Sequence, residues 1–461
     1  MAKRENDLGR DPIGKLLFRL AIPTVTAQLV NALYNIVDRI YIGHIEGEGD
    51  LALTGLGVCF AVIMFVSAVS ALVGMGGASR AVVRMGEGKM EQANAILGNC
   101  TALLILLSVV LTALFLVIQR PMLFLFGATE NTIGYATDYL TIYLCGTIFV
   151  ELSLGLNYFI TGQGFSTMGM ATVLIGAVIN IVLDPVFIYG FGMGVKGAAL
   201  ATIIAQAVSA LWVVRFLVGK RTRLRIQRKY FRLDWGILAP VLTLGAAPFI
   251  MQSTESLVNI SFNASLKAYG GDPAVGAMTI CSSVLQVFFL MFQGLSQGAQ
   301  PIIGYNYGSG QLDRVRHGFR LLLVCSLAFS CGGCALIELV PQLFVSLFNN
   351  NPELVELAVW ALRIYVAGMF MLGIQLSCQQ AFVALGQTRI SLFLALLRKV
   401  ILLIPLIFLL PRFFADKVLG VFLAEPVADV LASATTGALF FWRFPKILEH
   451  RRQELAQINP Q

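Results

Sequence analysis

Twelve apolar runs, each long enough to cross a bilayer, follow one another along this chain of 461 residues. They begin near positions 16, 51, 94, 137, 168, 196, 237, 274, 315, 355, 389 and 417. A helical span needs about 20 mostly apolar residues, whereas a membrane strand needs only about ten. Lipid offers the backbone no hydrogen bonds, so runs of this length must close their own as helices. The composition agrees: 57% of residues are hydrophobic, 13% are charged and the mean hydropathy is +0.80. A soluble domain carries about 25% charged residues, and the gaps between runs are too short to hold one. A charged leader, Met1 to Lys15, precedes the first run without a small-residue cleavage site, so that run reads as a retained helix rather than a signal peptide. The expected fold is an all-α membrane protein with twelve transmembrane helices.

The two halves of the chain can be laid over one another. Ala21-Ile22-Pro23 matches Ala246-Ala247-Pro248, and at the same offset of 225 Asp38 meets Asn263. Three residues then drop out. An offset of 222 aligns Gly49-Asp50 with Gly271-Asp272, Gly86 and Gly88 with Gly308 and Gly310, Tyr143 with Tyr365, Gly146 with Gly368, and Gly164 with Gly386. Two similar halves of even helix count are the plan of transporters that rock around a central site. The reading is two pseudo-symmetric six-helix bundles around a central cavity. It divides the chain into a leader (1–15), an N-lobe (16–218), a basic linker (219–236), a C-lobe (237–442) and a tail (443–461).

Charge placement orients this plan. Lys and Arg gather in the leader, around Arg80 to Lys89, from Arg215 to Arg232, from Arg314 to Arg320, from Arg389 to Lys399 and after Trp442. The opposite side keeps Arg120, Lys196, Lys267, Arg412 and Lys417. By the positive-inside rule both termini are cytoplasmic. The run from Lys220 to Lys229 reads as a solvated linker resting on anionic headgroups, so the net charge of +8 does not point to nucleic acid. Cys331-Gly332-Gly333-Cys334 has redox spacing, but among small residues in an apolar helix it reads as tight packing. His44, His317 and His450 are too dispersed to form a metal cluster by proximity.

Polar groups are costly in lipid, so their placement is informative. Gln28, Asn31, Asn35 and Asp38 line one face of the first span, and Gln252, Glu255, Asn259 and Asn263 repeat the stripe in the seventh. Ala198, Thr202, Gln206 and Ser209 share a face in the sixth, as do Gln286, Gln293, Gln297 and Gln300 in the eighth. These stripes predict a wet cavity between the halves, with interhelical hydrogen bonding as the competing use. Asn180 precedes Asp184 by one helical turn, and Pro185 leaves the carbonyl of Ile181 without a helical partner. With Asp38 and the hydroxyl of Thr202 this is an oxygen set suited to a hard cation. Two neighbouring carboxylates could instead hold a proton. Either way the cluster is the expected coupling site.

Other acids carry less. Glu255 stands alone in its stripe, as a second coupling group, a counter-charge for a cationic ligand, or a neutral acid bonded to Gln252 or Asn259. Glu425 and Asp429 are expected to pair with Arg398 and Lys399 as a structural cluster. Glu151 has no assignable partner. Met and Phe clusters such as Phe288-Phe289 and Met369-Phe370-Met371 would give a pliable apolar wall where they face the cavity.

Leu20-Ala21-Ile22-Pro23 followed by Leu33-Tyr34-Asn35-Ile36-Val37-Asp38 resembles the first helix of the multidrug and toxic compound extrusion (MATE) transporters. The string Asn180 to Phe187, then Gly192 to Thr202, is similar to that family's fifth and sixth helices. The resemblance covers nearly the whole chain. It implies an antiporter of the bacterial inner membrane that exports amphipathic, mostly cationic drugs and dyes in exchange for Na⁺ or H⁺, with no other cofactor and no obligate protein partner. It places the first-lobe cation site on Asp38, Asn180, Asp184, Thr202 and the backbone carbonyl of Ala198, and a helix-bending proline on Pro23. Substrate contacts are expected from Gln28, Asn31, Asn35, Gln206, Glu255, Asn259, Asn263, Gln286 and Gln293. Glu255 lies near a second-lobe glutamate of some branches, one residue out of step. The acid those branches carry on helix 10 is missing from Leu357 to Ala384, which argues against a second-lobe cation site. A lipid-linked sugar flippase of the same superfamily is the alternative. A membrane enzyme is disfavoured, because no surface loop carries a nucleophile, metal cluster or acidic motif.

Overall fold

The computed structural model of the protein describes residues 6–348 and 351–458, so the first five residues of the leader and the last three of the tail lie outside the described residues. Among the described residues the regular structure is entirely helical. Six spans precede the basic linker: α1 (Ile13–Gly43), α2 (Gly49–Gly86), α3 (Met90–Leu125), α4 (Ile133–Cys145 and Thr147–Gly162), α5 (Ser166–Gly190) and α6 (Val195–Val218). Six follow it: α7 (235–270), α8 (272–308), α9 (Leu312–Leu339), α10 (Pro352–Val366 and Met369–Ala384), α11 (Thr388–Arg412) and α12 (Lys417–Gln457).

The breaks repeat with the sequence. α4 bends by 59° at Gly146 and α10 by 45° at its counterpart Gly368, where each glycine is packed too closely for a side chain. α7 and α8 run on end to end except at Gly271, whose φ of 67° and ψ of −163° are open to glycine and break the 74-residue helix in two. Inside the lobes one contact recurs at the same offset. Cys59 Sγ donates to the carbonyl of Ala136 at 3.3 Å, and Cys281 Sγ to that of Ala358 at 3.9 Å. The eight cysteines are free, and Gly333, between Cys331 and Cys334, lies against Phe288 and Met369, so that segment packs as the small residues suggested.

The lobes meet through glycine. Gly86 on α2 rests on the carbonyl of Tyr305, and Gly308 on α8 rests on that of Val83, the same contact read in both directions across a pseudo-two-fold axis. Gly76 lies against Gly245, Gly298 against Ala21 and Gly294 against Val25. Close backbone approach of this kind maximises van der Waals contact where water supplies no driving force. Thr24 Oγ1 donates to the carbonyl of Gly294 at 2.6 Å, Gln28 Nε2 to Gln297 Oε1 at 3.4 Å, and Gln300 to Ser79. Phe65 meets Phe249 edge-on at 5.8 Å.

Leader, linker and tail gather at one end, which we call the basic end. Asn6 donates to the carbonyl of Gly164 at 3.1 Å, while the carbonyl of the fully buried Leu8 accepts from Asn306 at 2.9 Å and Arg314 at 3.2 Å, so the leader grips both lobes. The tail crosses back: Arg451 donates to Glu87 at 2.8 Å and to the carbonyl of Gly308 at 3.0 Å. Burial raises the Glu87 carboxyl, but Lys89, Arg84 and Arg451 outweigh it and hold the group below its ordinary value.

The linker corrects an expectation. Apart from half-buried Arg223, its Lys and Arg side chains are exposed, yet it is not a free solvated strap. Gln163 Oε1 accepts from Thr222 Oγ1 at 2.9 Å, Arg223 N at 2.9 Å and Leu224 N at 2.7 Å. Thr222 and Leu224 are buried between exposed Arg221 and Arg225, an alternation of period two. Towards the opposite end the lobes part. Among the described residues every hydrogen bond between them lies at the level of Thr24, Gln28 and Gln297 or nearer the basic end, and beyond that level Asn35, Asn259, Asn263 and Gln286 are exposed.

Candidate functional site

Inside the N-lobe, α1, α4, α5 and α6 enclose a polar chamber. Asn31 and Tyr34 of α1 face Ser153 and Asn157 of α4, Gly176, Ala177 and Asn180 of α5, and Thr202, Gln206 and Ser209 of α6. Its free volume of about 40 Å³ holds a water or two rather than a drug. Gln206 Oε1 accepts from Ser153 Oγ at 2.5 Å, fixing one wall. Asn180 Nδ2 donates to Asp184 Oδ1 at 3.1 Å and to Thr202 Oγ1 at 3.3 Å, which joins α5 to α6. The helical turn that aligns Asn180 with Asp184 ends at Pro185, where α5 loosens into the π turn Val186–Gly190. Tyr189 in that turn donates to the carbonyl of Tyr41 at 2.6 Å. This bond holds the end of α5 against α1 one turn beyond Asp38.

What is left over defines the chemistry. Asp38 Oδ1, Asn180 Oδ1 and Asp184 Oδ2 are buried without a hydrogen-bond partner, and neither aspartate takes part in an ion pair among the described residues. Asp184 is fully buried and Asp38 nearly so. A carboxylate taken out of water without an ion-pair partner is costly, and a cation or a proton bound there would offset that cost. Amide, hydroxyl and carboxylate oxygens together fit a hard cation such as Na⁺. Ala198 is buried one turn before Thr202 on α6, on the same face. Among the described residues no three His, Cys, Asp or Glu side chains gather, so a softer metal finds no cluster.

The other expected residues are placed apart from the chamber. Gln28 bridges the lobes through Gln297, and Asn35 is exposed, with its side chain turned back to the carbonyl of Asn31 at 2.6 Å. Asn259, Asn263 and Gln286 are exposed and Gln293 is half-buried, none of them in the chamber. Pro23 lies within α1, which runs unbroken from Ile13 to Gly43.

The C-lobe holds a second charged cluster of opposite design, buried except for Glu255. Glu255 is not alone: Lys399 Nζ donates to its Oε2 at 2.7 Å. Of the three readings of the stripe, the pair replaces the neutral acid bonded to Gln252 or Asn259 and leaves the coupling group and the counter-charge open. It also divides the expected four-residue cluster. Arg398 alone takes both Asp429, at 2.7 Å, and Glu425, at 2.9 Å, while Lys399 turns to α7. Consecutive residues on a helix point about 100° apart, but here the π-helical stretch Leu397–Leu403 buries Arg398 and Lys399 together. Glu151 is fully buried beside the α4 break, with both oxygens unpartnered. One sequence signal could have exposed the design. At the offset of 222, Arg398 and Lys399 fall on Gly176 and Ala177, two residues of the N-lobe chamber wall.

Comparison with known proteins matches the family model MatE twice, over residues 23–186 and 248–409, once in each half. A multidrug export protein MepA from Staphylococcus haemolyticus is 26% identical over 91% of this chain and 92% of its own. An FAD transporter from Shewanella oneidensis is also 26% identical, over 91% of this chain and 92% of its own. A crystal structure of a MATE transporter in its bent conformation superposes with a TM-score of 0.91 over 97% of this chain and all of the other, at 23% identity, a likeness of fold.

Proposed function

Because the chain belongs to the MATE family of membrane transporters, we propose that it exports amphipathic, mostly cationic small molecules in exchange for Na⁺ or H⁺. The export proteins among its bacterial relatives support this reading. The observation that carries it is the set of orphaned oxygens on Asp38, Asn180 and Asp184 in a lobe that supplies them no cation. In this reading the basic end is cytoplasmic, the membrane is the bacterial inner membrane, and the lobes as described part towards the outside.

Na⁺ or H⁺ enters from outside and binds Asp38, Asn180, Asp184 and Thr202, with the carbonyl of Ala198 completing the set. Neutralising both carboxylates draws α1 against α5 and α6, which alters the wall that Asn31 and Tyr34 present to the space between the lobes. Bound drug is released outside. The lobes then rock about their glycine contacts, open the basic end and give up the cation, and drug reloads. Reciprocity is required: an ion that weakens drug binding is itself weakened by drug.

The test is ethidium efflux from proteoliposomes with a Na⁺ gradient and a pH gradient imposed separately. Efflux that answers to one gradient and is absent in Asp184→Asn supports the antiporter and names its ion. Efflux indifferent to both, or unchanged in folded Asp184→Asn, rejects the coupling site. Export of a flavin nucleotide is a second reading, favoured by the Shewanella relative. Loading FAD in place of ethidium separates the two.

A further inference from the structure

The C-lobe repeats the frame of the N-lobe chamber but fills it with charge. Gln375 and Gln379 stand where Ser153 and Asn157 line the N-lobe wall, and Arg398 and Lys399 stand where Gly176 and Ala177 do. The two cations differ in how they are held. Arg398 is clamped between Glu425 and Asp429, and all three side chains are no more than 6% exposed, so nothing from outside can replace either acid. Lys399 has a different partner. Its side chain is 8% exposed, whereas that of Glu255, 2.7 Å away, is 55% exposed.

That asymmetry sets which half of the pair can leave. Glu255 can turn into the open space between the lobes and be solvated there. Lys399 cannot follow, because its ammonium is held in the protein, and an ammonium left without a counter-charge in that setting is strongly disfavoured. Glu255 therefore behaves as an internal occupant of a site that demands one carboxylate. Any other carboxylate arriving from the cleft restores the same charge and the same bond. On the second half of α10 the unpartnered Nε2 of Gln380 is a donor able to serve a carboxylate, whereas the free Oε1 atoms of Gln375 and Gln379 are acceptors suited to the cationic part of a zwitterion. Gln379 Nε2 donates to Met251 Sδ at 3.1 Å, one turn from Glu255 on α7, which brings Gln379 to that wall.

We propose that Lys399 is a docking point for the carboxylate of an amphipathic substrate, with Glu255 as its displaceable stand-in. The proposal rests on the efflux reading and extends its cargo: besides cations, the protein accepts molecules that carry a carboxylate beside an apolar body. A zwitterion is served twice, since its anion takes Lys399 and the released Glu255 takes its cation.

The test uses rhodamine B, a zwitterion at neutral pH, and its ethyl ester, a cation of nearly the same size. Binding of each to purified protein is followed by fluorescence polarisation, which needs no ion gradient, and efflux of each from proteoliposomes is followed in parallel. Lys399→Gln should weaken rhodamine B by at least about tenfold while leaving the ester within about threefold. Glu255→Gln should act in the opposite sense, tightening rhodamine B and weakening the ester. A misfolded or loosened protein cannot produce opposite signs at two neighbouring positions. Equal effects on both dyes, or no effect of either variant, overturn the carboxylate site. Export of the ester without binding of rhodamine B to the wild type overturns the site and leaves the efflux reading standing. Failure of the wild type to bind or export either dye overturns both.

Discussion

Two positions, one in each lobe, are related by the duplication and carry opposite solutions. In the N-lobe, Gly176 and Ala177 leave a space, and the nearby Asp38 and Asp184 have no cation from the protein. In the C-lobe, the equivalent Arg398 and Lys399 fill that space with two cations of their own, tied to Asp429, Glu425 and Glu255. Each of those three acids has a cation of the protein's own within hydrogen-bond distance. A lobe that lacks one must import it, and its structure then depends on what the solution offers. In the function proposed above, the first lobe is therefore the one that answers to the ion gradient.

The largest effect expected from breaking this contrast is on transport. Asp184→Asn should reduce gradient-driven ethidium efflux to the leak of protein-free vesicles, whereas Arg398→Lys should keep a gradient response in whatever protein folds. The next is on stability. Arg398→Ala strands two buried acids and should cost about 3–5 kcal/mol, read as a fall in melting temperature in detergent. Asp184→Asn removes an uncompensated charge and should melt no lower than the wild type. The third sharpens the contrast through the ion itself. If Na⁺ is the coupling ion, adding it at about a hundred times its Kd should stabilise the wild type by about 2.7 kcal/mol. That gain should vanish in Asp184→Asn and in Ala177→Lys, which brings the C-lobe's solution into the N-lobe, and persist in Lys399→Gln. If H⁺ is the ion, lowering the pH should raise the melting temperature of the wild type in place of Na⁺.

The smallest effect lies at another duplicated pair. Glu87 and Ser309 occupy the same turn, but Glu87 alone catches the tail through Arg451. Because its folded carboxyl is held below the ordinary value, its contribution is present above that value and lost as the pH falls through the lowered one. Glu87→Gln should therefore cost about 1 kcal/mol at neutral pH, and the melting curves of variant and wild type should converge below about pH 4.

Much of this was readable from sequence because it is periodic or local. The twelve spans follow from run length, and the fold from the repeat. Asn180 and Asp184 are one turn apart, so their hydrogen bond needs only a helix. The pairing of Arg398 with Glu425 and Asp429 was expected, but the partners of Glu255 and Lys399 were not readable in that way. They depend on which face of α11 turns inward, and the π-helical stretch Leu397–Leu403 shifts that face by inserting a residue into the turn. Regular periodicity places Arg398 and Lys399 on different faces and gives no reason for Lys399 to reach α7. The anchoring of the linker was hidden for another reason. A glutamine, Gln163, collects three donors from a stretch whose own composition reads as solvated.

That anchor bears on the order in which the protein is made. Gln163 and the three donors it receives all lie before residue 225, so the bonds that seal the first lobe's edge involve nothing synthesised later. By the time α7 leaves the ribosome, the preceding six spans have every group they need to finish that edge. The linker edge of the first lobe thus needs nothing from the second, whereas Leu8 and Glu87 wait for Asn306, Arg314 and Arg451.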